Sequence, residues 1–148
     1  MATRSFIAIK ENGSYRAVYQ HFDSYPSCLG KLLLEHYSDA DKVREAISLG
    51  DASYWDENIH PPKGAIHNFD IKYPGVSVFY CRDRNQDLEI SEYKTVKELV
   101  KDVYGGMIEY LYIFDKDINK WLFTSLRYKD IAKVFSSIKE LKMGDCHA

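Results

Sequence analysis

The dipeptide Asn12-Gly13, set between two runs of β-forming residues, is the strongest local constraint on how this chain folds. Both residues tolerate positive φ, which the two central positions of a type I′ turn require. Residues 6–10 and 15–22 on either side carry the β-branched and aromatic side chains that are typical of strands. The sequence therefore predicts an N-terminal β-hairpin that belongs to a sheet.

Helical periodicity occurs in three places, and two further hairpins are predicted between them. Residues 29–37 and 43–47 share one apolar face, bent by the capping residues at 38–41, and the other helices lie at 95–103 and 130–141. Strand patterns at 76–93 and 109–125 predict the two hairpins. The fold class is therefore α+β, with a mostly antiparallel sheet of about six strands built from hairpins and about three helices on one face.

The length of 148 residues predicts one domain spanning 1–148. Residues 52–75 interrupt it, because they hold three of the four prolines and show poor periodicity. We interpret them as a long loop excursion, and loops of this length are often functional.

Composition excludes several classes of function. The net charge of −2 argues against a duplex nucleic-acid partner. No apolar run approaches the roughly 20 residues of a membrane helix, and the first residues do not read as a signal peptide, so we expect a cytoplasmic protein without a membrane partner. The three cysteines show no disulfide or zinc spacing, and phosphate-loop and dinucleotide motifs are missing from the sequence. We therefore expect no metal and no cofactor.

The first candidate cluster is His21, Asp23, Ser24, Tyr25 and Cys28, between a strand and a helix, with Lys31 in the first turns of that helix. Pro26 disfavours helical geometry at Tyr25, so the tyrosine ring is expected outside the helix, where it can stack on a ligand. Free N–H groups at the helix start, with Lys31, would bind an anion. A catalytic Cys-His-Asp or Ser-His-Asp group is one alternative, but such a group depends on spatial geometry, for which closeness in sequence is no evidence. The other alternative is a capped turn, in which the polar groups satisfy the backbone and the ring packs on the helix.

The second candidate cluster is Arg82-Asp83-Arg84, which we predict at a hairpin tip. Two guanidiniums around one acid can hold a phosphate, and arginine also stacks on aromatic rings. Arg4, just before the first strand, would add a third positive group if the strands are neighbours. The alternative is a solvated turn of mixed charge.

The twelve tyrosines also leave two interpretations open. One is an interface or ligand pocket, and the other is a core completed with tyrosine.

Several segments together resemble a family of small phage and prophage proteins. The matching segments are MATRS at 1–5, YQHFDSYP at 19–26, GKLLLEHY at 30–37, LGD at 49–51 and YCRDRN at 80–85. The sequence departs from the family pattern at Gln20 for Cys, Phe22 for Trp, Ser24 for Gly and Asn85 for Gly, and it resembles the family weakly over 52–75. Gln20 removes any role for a family thiol at that position.

The resemblance implies an accessory protein of a phage or prophage, acting in the host cytoplasm. Such proteins often counter host defence, either by binding a defence protein or by sequestering a nucleotide signal. We expect a non-enzymatic, homodimeric protein that sequesters an anionic signalling nucleotide through Arg4, His21, Asp23, Tyr25, Lys31, Arg82 and Arg84. The alternative is an inhibitor that binds a host defence protein through the tyrosine-rich face and residues 52–75. A nucleotide-processing enzyme, which would need a positioned base and nucleophile, is the third possibility.

Overall fold

The computed structural model describes residues 2–147, and the predicted N-terminal hairpin is confirmed. Strand β1 (Arg4–Glu11) and strand β2 (Ser14–Gln20) pair antiparallel, with Glu11 opposite Ser14. Asn12 and Gly13 form the turn with φ values of 53° and 74°. The turn is therefore the one that Asn-Gly favours.

The remaining strands complete one eight-stranded sheet in the described chain. They are β3 (Ala52–Tyr54), β4 (Val78–Phe79), β5 (Ser91–Tyr93), β6 (Ile108–Asp115), β7 (Lys120–Ser125) and β8 (Lys139–Glu140). The order is β4-β3-β2-β1-β6-β7-β8, and β5 also pairs with β2. Two neighbouring pairs, β1–β6 and β2–β3, are parallel, and the other pairs are antiparallel.

The α+β class and the mostly antiparallel pairing are confirmed, but the prediction of about six strands is wrong. The two unpredicted strands are β3 and β8, which have three and two residues. Strands this short show no alternation that the sequence could reveal, and their pairing with a distant strand defines them.

The described chain has five α-helices. They are α1 (Lys31–His36), preceded by a π-helical turn at Pro26–Gly30, α2 (Ala40–Ser48), α3 (Tyr80–Arg84), α4 (Val96–Val103) and α5 (Ile131–Ser137). Helices α1 and α2 pack on one face of the sheet and α4 and α5 on the other, whereas about three helices on one face were predicted. Ile7 and Ile9 share a core with α1 and α2, while Ala8 between them packs with α4 and α5. Successive residues of a strand point to opposite faces, so β1 is buried on both sides.

The predicted hairpin at 76–93 is wrong, because the chain turns into a helix directly after β4. The Asp83 carboxylate accepts a hydrogen bond of 2.8 Å from the Phe79 N–H, which caps the start of α3. Asn85 ends α3 in the left-handed conformation, with φ of 55°. Strand β5 then pairs with β2 instead of β4.

Residues 55–77 run irregularly between β3 and β4, with one isolated bridge between Asn58 and Val76. The predicted excursion at 52–75 thus begins with the short strand β3. Its interior is attached to the rest of the fold, since the Phe69 N–H donates to the Asp83 carbonyl of α3 across 2.9 Å. Within residues 2–147, every helix falls short of the length and apolar character that a membrane crossing requires.

Candidate ligand-binding face of the sheet

Strand pairing places residues from four strands in one row across the sheet. Ser5 is opposite Gln20, Gln20 is opposite Ala52, and Ala52 is opposite Phe79. One step along each strand, the side chains point to the other face of the sheet. The second row, on that face, consists of Phe6 and Tyr19 together with Asp51, just before β3, and Tyr80, the first residue of α3.

Backbone contacts hold this second row together. Phe6 is opposite Tyr19 in the β1–β2 ladder. The Tyr19 N–H donates to the Asp51 carboxylate across 2.8 Å, and the Tyr80 N–H donates to the Asp51 carbonyl across 3.0 Å. Tyr19 and Tyr80 therefore lie on either side of Asp51, and we call this surface the Tyr19–Tyr80 face.

Arg4 and His21 form the β1 end of the Tyr19–Tyr80 face. Nδ1 of His21 lies 2.6 Å from the Tyr19 hydroxyl, and the exposed Phe22 ring packs edge-on against the imidazole with 4.4 Å between ring centroids. Burial, with a smaller contribution from the Arg4 charge, lowers the pKa of His21. Burial raises the pKa of Tyr19, and the neighbouring Arg4 opposes that shift. This end holds a permanent positive charge beside a neutral imidazole.

Phe69 and Arg84 extend the opposite end of the face. The rings of Phe69 and Tyr80 are 6.2 Å apart between centroids, and the Arg84 guanidinium lies over Phe69 at 4.4 Å. Lys72 approaches the same ring at 4.9 Å. Burial, followed by the Tyr19 phenol, raises the pKa of Tyr80. This end therefore also combines aromatic rings with positive charge.

Helices α4 and α5 cover a different part of this side of the sheet from the Tyr19–Tyr80 face. Leu99 of α4 and Val134 of α5 pack over Ala8 and Ala17, farther along β1 and β2. By contrast, Tyr19, His21 and Tyr80 remain partly exposed. The Tyr19–Tyr80 face is therefore accessible to a ligand.

The residue types of this face suit a ligand that has both an aromatic ring and an anionic group. Tyrosine and phenylalanine rings stack on bases, and guanidiniums bind phosphate oxygens. Asp51 is partly buried between the two tyrosines, and burial raises its pKa. Its carboxylate is an acceptor suited to a hydroxyl or an N–H group.

Arg82 is part of the scaffold, whereas Arg84 is an exposed charge. The Arg82 guanidinium donates to both oxygens of Asp83, at 2.8 and 3.0 Å. It also donates to the carbonyls of Ile59 and Ser77, at 2.7 and 3.0 Å. Because these partners occupy its donors, Arg82 connects residues 55–77 to α3.

The structure places Asp23, Tyr25 and Lys31 on the opposite face of the sheet from Arg4, His21 and Arg84. Tyr25 lines a shallow cavity with Tyr110, a residue that packs against the core of α1 and α2. Lys31 is exposed at the first position of α1. The seven candidate residues therefore do not form one site.

The structure leaves few free N–H groups at the start of the first helix for the predicted anion site. The Tyr25 carbonyl accepts hydrogen bonds of 3.0 Å from the N–H groups of both Cys28 and Leu29. Pro26 has no N–H to offer. Tyr25 itself is extended, as predicted, with φ of −69° and ψ of 153°.

Asp23 lines a small cavity whose charge disfavours an anion. The cavity measures about 220 Å³, and its walls include Asp23, Cys28, Tyr54, Trp55 and Asp56. Burial, followed by the charges of Asp23 and Asp56, raises the pKa of the Cys28 thiol. A neutral thiol is a poor nucleophile, so these surroundings do not activate Cys28.

The sequence does not single out four residues of this face: Tyr19, Asp51, Phe69 and Tyr80. The alternation of β2 does place Tyr19 and His21 on one face, and this signal was available in the sequence. Tyr80 and Asp51 become neighbours of Tyr19 only through the β2–β3–β4 pairing. Phe69 reaches Tyr80 from the irregular segment, for which no sequence pattern exists.

Among residues 2–147, no group of three or more His, Cys, Asp or Glu side chains is arranged to hold a metal ion.

Comparisons with protein-family models, with curated proteins and with solved structures found no match to this chain.

Proposed function

We propose that the protein binds a small anionic signalling nucleotide and sequesters it without turning it over. The observation that carries this proposal is the Tyr19–Tyr80 face, where aromatic rings lie between Arg4 and Arg84. Stacking of a base on an aromatic side chain contributes roughly 1–3 kcal/mol per base. Charge-assisted hydrogen bonds from guanidinium groups add affinity for phosphate.

The phage context of the proposal rests on the resemblance in sequence. Four of the segments that carry it contribute to the same face: MATRS supplies Arg4, YQHFDSYP supplies Tyr19 and His21, LGD supplies Asp51, and YCRDRN supplies Tyr80 and Arg84. A shared ligand surface is a physical reason for these segments to recur together. We propose that the protein counters host immunity in the host cytoplasm, as a homodimer.

Sequestration is favoured over catalysis by the chemistry of the face. Hydrolysis or transfer needs a nucleophile with a base positioned beside it. Asp51 already accepts the Tyr19 N–H, and Cys28, with its raised pKa, lies on the opposite side of the sheet. The face thus supplies binding groups without an activated nucleophile among them.

Titration calorimetry with a panel of cyclic dinucleotides, ADP-ribose and mononucleotides tests the proposal. We expect Tyr80→Ala to weaken binding by roughly 1–3 kcal/mol, because it removes a stacking ring. Tyr25→Ala is the matched control, since it truncates a partly exposed tyrosine on the opposite face. The control variant should bind like the parent.

The bound nucleotide is then released by denaturing the protein and identified by mass spectrometry. Recovery of the unchanged ligand supports sequestration, and recovery of a product supports an enzyme. Absence of binding by every nucleotide in the panel contradicts the proposal. Equal losses in Tyr80→Ala and Tyr25→Ala would also contradict the assignment of the site.

Exposed apolar side chains in the irregular segment favour a second candidate function, the inhibition of a host defence protein by direct binding. Ile66 and Ile71 are 67% and 59% exposed, and Tyr73 is 39% exposed. Exposed apolar groups of this size occur at protein interfaces. The double variant Ile66→Asp, Ile71→Asp should lose activity against the host system while keeping nucleotide binding, if this candidate is correct.

A further inference from the structure

We infer that the ligand carries phosphate groups on both sides of a nucleoside, as dinucleotides do, and is not a mononucleotide. This inference rests on the proposed function, because it concerns the same face. It follows from the separation of the two positively charged ends and from the groups that lie between them.

The first positive end is Arg4 with His21, and the second is Arg84 with Lys72. Arg4 faces the Tyr19 hydroxyl and the imidazole. Arg84 and Lys72 lie against the Phe69 ring, at 4.4 and 4.9 Å from its centroid. Each end is therefore able to bind one phosphate.

Four adjacent strands keep the two ends apart. Arg4 lies on β1, and Tyr80 directly follows β4, so three inter-strand spacings separate them. At about 4.8 Å per spacing, the backbones of Arg4 and Tyr80 are about 14 Å apart. The Arg4 side chain extends to Tyr19 on β2, whereas Arg84 packs on Phe69 next to Tyr80, so the row from Tyr19 to Tyr80 lies between the two charged groups. A mononucleotide has phosphate at one end of its ribose only, so it reaches one positive end at a time.

The middle of the face is suited to a nucleoside. Tyr19 and Tyr80 provide rings for stacking on either side of Asp51. The Asp51 carboxylate repels a phosphate at this position and accepts hydrogen bonds from ribose hydroxyls or base N–H groups. Phosphates are thereby directed to the two ends.

The experiment compares three probes that differ in the number of phosphates: AMP, the 5′-phosphorylated dinucleotide pApA and the 5′-phosphorylated adenosine pentanucleotide. Each is titrated against the full chain and against Arg4→Gln, Arg84→Gln and the double variant. Lys31→Gln is the control, because it removes an exposed positive charge from the opposite face.

We expect pApA to bind about tenfold or more tightly than AMP, because two linked contacts act with a high effective concentration. Either single variant should reduce the affinity for pApA to about that for AMP, whereas Lys31→Gln should not. The pentanucleotide should bind about as well as pApA, since the face has two positive ends.

The possible failures are distinguishable. If AMP binds as tightly as pApA, or if only one arginine affects pApA, the two-ended ligand is wrong while the proposed nucleotide site stands. A pentanucleotide that binds about tenfold more tightly than pApA also overturns the inference, because it indicates a polymer ligand. If none of the probes binds, and the signalling-nucleotide panel fails as well, the proposed function itself is wrong.

Discussion

The hydroxyl of Tyr19 lies 2.6 Å from Nδ1 of His21. The Arg4 guanidinium is beside the same hydroxyl, and its positive charge orients the hydroxyl hydrogen away from itself and toward Nδ1. We therefore assign the imidazole proton to Nε2. In this state His21 is neutral and still able to donate to a phosphate.

Binding of an anionic ligand is expected to strengthen as the pH falls. In the free protein, burial and Arg4 lower the pKa of His21, so the imidazole is neutral at pH 7. A bound phosphate favours the charged imidazole and raises this pKa, so protons are taken up on binding. Affinity for cyclic diadenylate, whose phosphodiesters keep their charge, should rise between pH 7 and pH 5 by calorimetry. His21→Gln should remove the rise, and a parent affinity that is independent of pH would exclude His21 as a ligand contact.

The stability of the free protein is expected to change with pH in the opposite sense. Because the folded-state pKa of His21 lies below its usual value of 6.5, the unfolded chain binds this proton more readily. The contribution of His21 to stability is therefore present above pH 6.5 and is lost as the pH falls below that value. Urea unfolding between pH 7.5 and pH 5 should show a smaller loss of stability in His21→Gln than in the parent. An identical loss in both would contradict the lowered pKa.

Arg82→Ala and Arg84→Ala should differ sharply in stability. Removal of Arg82 takes the guanidinium away from the Asp83 carboxylate, whose side chain is only 3% exposed. We expect a loss of about 2 kcal/mol in the free energy of unfolding. Arg84→Ala, the matched control, should lose less than about 0.5 kcal/mol, because an exposed charge contributes little. Equal stabilities of the two variants by urea unfolding would mean that Arg82 is not a scaffold residue.

Gly13→Val should destabilise the N-terminal hairpin. Gly13 has φ of 74°, and a β-branched residue resists this conformation. Among residues 2–147, no atom outside the two chain neighbours lies within 4 Å of the position that a Cβ would take, so the cost comes from the backbone. We expect a loss of about 1 kcal/mol or more in thermal or urea unfolding. Gly13→Asn should be milder, since asparagine tolerates the left-handed region, and a Gly13→Val variant as stable as the parent would contradict this account.

Local signals in the sequence predicted the N-terminal turn and the start of α4 correctly. Asn12-Gly13 carries its own turn geometry, and Thr95 accepts a hydrogen bond of 3.1 Å from the Glu98 N–H at the start of α4, as the capping-box spacing predicted. The parallel pairing of β1 with β6 left no such signal, because it depends on residues far apart in the chain. The same reason explains why helices on both faces were not predicted. The pairing of β1 with β6 gives the sheet a centre that is buried on both faces, and this pairing leaves no local signal.

The candidate site was predicted only in part, because residue types are visible in the sequence whereas the pairing of distant strands is not. Arg4, His21 and Arg84 were selected by residue type, and strand pairing brings them to one face. Arg82 was selected by the same criterion, although the buried carboxylate of Asp83 and two carbonyls engage it. Residue type alone does not distinguish a guanidinium that is free for a ligand from one that is already satisfied.

The position of β1 between β2 and β6 has a consequence for synthesis on the ribosome. The β1–β2 hairpin emerges early, but the other edge of β1, with Ile7 and Ile9, has no partner until residues 108–115 leave the exit tunnel. Pairing across such a separation closes a long loop and forms late. Until then, the bare edge is open to pairing with another nascent chain. Aggregation during translation therefore competes with folding until β6 emerges.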